Sequence, residues 1–229
     1  MTSGVKSVKD WWEVLTTDSM SIAEAIATDE VSQIRGRVRP TQSNGALVSP
    51  LHNTQCVAYE YNISKIVQDT GRSSIDSNIE YDSFIVSDGT ASIRVNPDEG
   101  SLSLNMTTNR LTTKQEIINQ TADERLDFEP SAYTSDVGEL TAPIELSEGT
   151  ISIGEKITVI GKVDPVLEEA TAETDTVVTS EEDYLAVMNN DPKKTALKKA
   201  ARGTFLLILG LLFNIFAMLV LTTVISDII

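Results

Sequence analysis

The chain is poor in the residues that carry most chemistry: it has one cysteine, Cys56, one histidine, His52, two tryptophans and only 5% aromatic residues. A single cysteine excludes an intrachain disulfide and any zinc site built from several thiolates. Basic residues are also scarce, 18 Lys and Arg against 34 Asp and Glu, and five of the 18 are crowded between Lys193 and Arg202. Of the acids only Asp227 lies after residue 192, so residues 1–192 carry a net charge of −20. Such a surface keeps a protein soluble and repels nucleic acid and anionic lipid. With few aromatics and abundant Asp, Glu, Ser and Thr, it points to a halophilic archaeon's cytoplasm; an ordinary acidic domain is the alternative. No apolar run near Met1 resembles a signal peptide.

What is present stands out against that background. Thr204 to Ser226 is a run of 23 residues without charge. A helix rises 1.5 Å per residue, so this run covers the roughly 30 Å hydrocarbon core of a bilayer and reads as a transmembrane helix. The basic flank Lys193, Lys194, Lys198, Lys199 and Arg202 places residues 1–202 on the cytoplasmic side, with the C-terminus outside. The expectation is a single-pass, tail-anchored protein of the cell membrane. Gly203, Gly210 and Ala217 recur every seven residues, with Leu207, Asn214 and Leu221 four residues after each, so all six share one helix face. Small residues and a mid-membrane Asn suit a seam for a homo-oligomer or a partner span.

Before the anchor, the pattern divides the chain. Residues 1–30 read as a helical arm: Val5, Val8, Trp11, Trp12 and Leu15 recur at near-helical spacing, and Ser21 with Glu24 has capping-box spacing ahead of a second short helix. The two tryptophans suit a membrane interface, and packing on the domain or on a partner suits them equally. Residues 31–166 read as a β-rich domain with strands at Val31–Val38, Cys56–Val67, Phe84–Ser87, Ala91–Val95, Ser101–Met106 and Lys156–Val163. Asp88-Gly89 is a hairpin signal between two of them. Gly36 and Gly161, inside strand patterns, mark bulges or close backbone approaches. Glu116 to Glu129 fits either a helix or an irregular insertion. The fold class expected is mainly β, a small barrel or sandwich with short N-terminal helices and one C-terminal transmembrane helix. Residues 167–190, acidic and Thr-rich over Glu168 to Glu182, read as a solvated linker, and 191–203 as the basic juxtamembrane segment.

Several short motifs occur in a particular order: Ile34-Arg35-Gly36-Arg37-Val38, Leu47-Val48-Ser49-Pro50, Cys56-Val57-Ala58-Tyr59-Glu60-Tyr61, Phe84-Ile85-Val86, Asp88-Gly89-Thr90, Val95-Asn96-Pro97, and Gly154-Glu155 with Val159-Ile160-Gly161. Over about residues 19–163 this succession resembles the GIDE domain of membrane-anchored mitochondrial E3 ubiquitin ligases. The resemblance implies a β-rich domain that recognises protein partners at a membrane. Those ligases also carry a RING, whose two zinc ions need several cysteines and histidines. This chain, with Cys56 and His52 alone, has no residues for one, so the resemblance does not extend to ligase activity.

The candidates for chemistry are few. His52 and Cys56 are four residues apart, as a base and a nucleophile would need to be brought together, and the competing reading is a loop histidine beside a buried strand residue. Asp88 with Asp98 or Glu99 suggests a cation site, and a plain turn is the competing reading. No nucleotide loop, catalytic triad or metal-ligand cluster is apparent, so no catalytic residue, metal or cofactor is expected. Arg35, Arg37 and Arg39 alternate along one strand and therefore project to one face, an unusual basic stripe on so acidic a domain. The stripe reads as a partner face, or as a strand edge that discourages aggregation. The expected function is a non-catalytic protein-binding or scaffolding module held at the membrane. The alternatives are an accessory of ubiquitin-like modifier ligation and a self-assembling membrane organiser.

Overall fold

The computed structural model describes residues 18–28, 30–41, 46–67, 71–135, 139–165, 176–179 and 185–189. The helix expected around Trp11 and Trp12, the basic flank, the span and its seam lie outside the described residues. In chain order the strands are β1 (Ser19–Met20), β2 (Ser32–Pro40), β3 (Leu47–Val48), β4 (Gln55–Val67), β5 (Gly71–Tyr81), β6 (Phe84–Ser87) and β7 (Ser92–Asn96). They continue with β8 (Leu102–Ser103), β9 (Thr107–Thr113), β10 (Glu139–Ser152), β11 (Lys156–Gly161), β12 (Asp164–Pro165), β13 (Thr176–Thr179) and β14 (Ala186–Met188). Among the described residues two short helices interrupt them, α1 (Ile22–Ala27) and α2 (Lys114–Gln120). The described chain is therefore mainly β. No helix among the described residues is long and apolar enough to cross a membrane.

The strands form two sheets. A nine-stranded mixed sheet runs β12-β13-β7-β6-β2-β11-β14-β8, with β1 added parallel to β2. A five-stranded antiparallel sheet runs β3-β4-β10-β9, with β5 on the same side of β4 as β3. Even-numbered positions of β2 and β6, Ile34, Val38, Phe84 and Val86, join Ile93, Val95, Ile157 and Val159 in a first core. The second sheet closes it with Val57, Ala58 and Ile151. Farther along β4, Tyr59, Tyr61 and Ile63 belong to a second core with Ile144 and Leu146, covered by Ile117 of α2 and by Leu126 and Phe128. The alternation visible in β4 is thus the signature of a strand whose two faces are used differently.

Local chemistry sets the joints. The Ser21 side chain accepts from the Glu24 amide, and the Glu24 carboxylate accepts from the Ser21 amide at 2.9 Å, the capping box that the spacing predicts. Gly36 is a close approach: a Cβ there would stand 2.5 Å from Val86 Cγ1 and 2.8 Å from the Ser87 carbonyl oxygen. Glu116 to Glu129 holds both things its sequence allows, the end of α2 and then an irregular segment. Two departures concern the C-terminal part. Thr176–Thr179, within the stretch read as a solvated linker, is a strand pairing parallel with β7. Ala186–Met188 pairs with β11 and β8 and is buried. Its contacts make the end of that stretch part of the sheet, because Leu185 and Val187 complete the first core.

Candidate functional site

Strand β2 lies inside its sheet, between β6 and β11, with one face in the core and the other turned outward. Ile34, Gly36 and Val38 are buried, whereas Arg35, Arg37 and Arg39 are exposed. The register sets the neighbours of each arginine. Arg37 faces Lys156 on β11 and Ser87 on β6, Arg35 faces Thr158, and Arg39 faces Ile85, which is opposite Arg94 on β7. Cross-strand partners project to the same side of a sheet, so Lys156 and Arg94 join the three arginines on one face. The surface there is a groove of about 700 Å³, bounded by the Ser87-Asp88-Gly89 turn and by Gly154 with Lys156.

Each guanidinium is oriented by a neutral oxygen. Arg35 Nε donates to Thr158 Oγ1 at 3.1 Å, Arg37 Nη1 to the Gly154 carbonyl at 3.0 Å, and Arg39 Nη2 to Ser92 Oγ at 3.4 Å. A guanidinium has five N–H donors, so most of each fork stays open. Among the described residues, neither these arginines nor Lys156 pairs with a carboxylate, in contrast to Arg72 with Glu145 and Arg125 with Asp123.

The acid nearest the groove, Asp88, is already occupied. Its carboxylate accepts from the Ile22 amide at 2.9 Å, from the Thr90 amide and hydroxyl at 2.8 and 2.6 Å, and from the Ala91 amide at 3.3 Å. Burial alone would raise its pKa, but these hydrogen bonds favour the charged form more strongly and bring it to about 2. Asp88 therefore fixes the hairpin and the first turn of α1. Asp98 caps the 3-10 turn Glu99–Ser101. The cation site imagined for these acids has no geometry here: the described residues contain no group of three or more His, Cys, Asp or Glu able to hold a metal ion.

His52, but not Cys56, meets a third group that the sequence did not single out. Glu148 of β10, buried, accepts from Ser49 Oγ at 3.0 Å, from the Leu51 and His52 amides at 2.8 and 3.1 Å, and stands 2.5 Å from His52 Nδ1. The turn from Ser49 to Thr54 is wrapped on this carboxylate, with Asn53 in the left-handed region at φ 52°. The Cys56 thiol points elsewhere, 3.7 Å from the Leu47 carbonyl. Burial first, and then the nearby Glu148 charge, push its pKa up to about 11. That is the reverse of the activation a thiolate nucleophile requires.

Lys156 and Glu148 are what sequence reasoning missed. Lys156 joins the stripe only through the β2–β11 register, and nothing local distinguishes Glu148 from the other acids on β10. No protein-family model, curated protein or solved structure matches this chain.

Proposed function

We propose that the protein is a non-catalytic, protein-binding or scaffolding module held at a membrane, and that the arginine face of β2 is its partner surface. The observation that carries this reading is the set of exposed, pre-oriented guanidinium groups without carboxylate partners on a domain of strongly negative charge. Arginine is enriched in protein interfaces because its planar fork fixes orientation as well as charge. In this reading the two-sheet unit is a GIDE-like domain and residues 204–226 form the single span. The basic flank keeps the domain on the cytoplasmic side, and the Gly203–Leu221 seam favours self-association. Motif order and hydropathy support these assignments.

The test is affinity capture of the full-length protein from its native membrane, compared with a variant carrying Arg35→Ser, Arg37→Ser and Arg39→Ser, with co-purifying proteins read by mass spectrometry. A near-stoichiometric partner that is lost in the variant is the expected outcome. Recovery of the protein alone from both samples would overturn the partner-face assignment and favour assembly through the span.

A further inference from the structure

We infer that the arginine face takes one kind of ligand, an extended acidic peptide segment whose carboxylates occur at every second residue. This rests on the partner-face reading and specifies what that face recognises. The first argument is spacing. Alternate residues of a strand are about 6.6–6.8 Å apart, so the side chains of Arg35, Arg37 and Arg39 leave β2 with that repeat, the first two anchored toward β11 and the third toward β7. An extended peptide with acids at positions i, i+2 and i+4 has the same repeat and presents all three carboxylates on one side. Three consecutive acids on an extended chain would turn the middle one away.

The second argument is charge. The groove over β2 is lined by Arg35, Arg37, Arg39 and Lys156, and the acid that lines it, Asp88, is engaged by Ile22, Thr90 and Ala91. A segment that carries several carboxylates is complementary to such a surface.

The third argument is preorganisation. Each fork already spends one N–H on Thr158, Gly154 or Ser92, which aims the remainder, so little side-chain freedom is lost when a carboxylate arrives. Lys156, beside Arg37, adds a point charge at the centre of the row.

The experiment uses the full-length protein in detergent and fluorescently labelled peptides of identical composition, read by anisotropy at several salt concentrations. One peptide carries Asp at alternate positions (Asp-Ser-Asp-Ser-Asp), one carries the three Asp contiguously, and a longer pair places Asp at i, i+4 and i+8 or at i, i+2 and i+4. The alternating peptides are expected to bind about tenfold more tightly than their counterparts, the scale of one charge-assisted pair. Arg37→Ser removes that preference, and Arg37→Lys keeps part of the affinity while losing the discrimination between orders, since Lys lacks the fork.

Equal affinity for all arrangements, preference for the i, i+4 series, or no peptide binding overturns the inference. So does arginine-dependent binding to phosphatidylglycerol vesicles that excludes the peptide, which would give the face to the bilayer. The partner-face reading falls separately, if the arginine variant captures the same proteins as the wild type.

Discussion

Glu148 is a single carboxylate that organises a turn. Four donors from Ser49, Leu51 and His52 converge on it, and its side chain is fully buried. The exchange Glu148→Gln replaces one acceptor oxygen by an amide that faces donors, leaving part of the Ser49, Leu51 and His52 donor set without a partner beside a buried side chain. We expect a loss of about 2–3 kcal/mol, read as a lower denaturation midpoint with unchanged slope. Asp88 gives a prediction of a different kind. Its folded pKa of about 2 lies below the ordinary carboxylate value of about 3.9. A depressed folded pKa contributes stability that is complete above the unfolded value and is lost as pH falls through the folded one. Asp88 therefore stabilises the hairpin and α1 above about pH 4, and this contribution fades between about pH 4 and pH 2. In Asp88→Asn the stability gained by raising pH from about 2 to about 5 should be smaller than in the wild type, as measured by chemical denaturation at each pH. An unchanged pH profile would show that the hydrogen bonds do not discriminate between charged and neutral forms.

At the scale of elements, the last strand carries more than its length suggests. Ala186–Met188 lies between β11 and β8, and Asn189 fastens its end: its amide donates to the Thr150 carbonyl and its oxygen accepts from the Asn105 amide, both at 2.9 Å. Met188 is fully buried, so Met188→Ala should cost about 2–5 kcal/mol by thermal or denaturant unfolding. A residue in a solvated linker would cost almost nothing. That contrast explains what was legible in the sequence. β4 and β6 announced themselves through alternation and β-branched residues, and α1 through Ser21 and Glu24. β5 did not, because Gly71–Tyr81 is mostly polar: it adds to β4 by backbone pairing, and its charges are spent sideways, Arg72 on Glu145 and Asp76 on Tyr61. β13 and β14 were hidden for another reason. Each is four residues or fewer, the first within the acidic, Thr-rich stretch and the second just beyond it, and each becomes a strand through partners distant in sequence, β7 for one and β8 and β11 for the other. The arginine stripe could be read from alternation along one strand, but Lys156 required the register between strands.

At the scale of the whole molecule, two electrostatic demands oppose each other. Within the compact unit Asp18–Asn190 the net charge is −19, and mutual repulsion of that size works against the unit's folded state. Mobile ions weaken that repulsion: the screening length falls from about 10 Å at 0.1 M to about 3 Å at 1 M. Raising KCl over this range should therefore raise the Tm of the protein, and a flat Tm would mean that the carboxylates are too far apart or too well solvated to repel. The same ions weaken the attraction of an acidic peptide to the arginine face. Affinity should fall over the range in which Tm rises, and the opposite slopes separate a global charge effect from a local one. Long-range steering is what salt removes first, whereas guanidinium forks in direct hydrogen-bond contact with carboxylates are screened much less. A molecule working in concentrated salt would then recognise its ligand by the position of the forks more than by charge. Discrimination between alternating and contiguous acidic peptides should accordingly persist at about 1 M salt even as both affinities drop. If the two peptides converge there instead, the face acts only as a diffuse positive field, and the order of the acids carries no information.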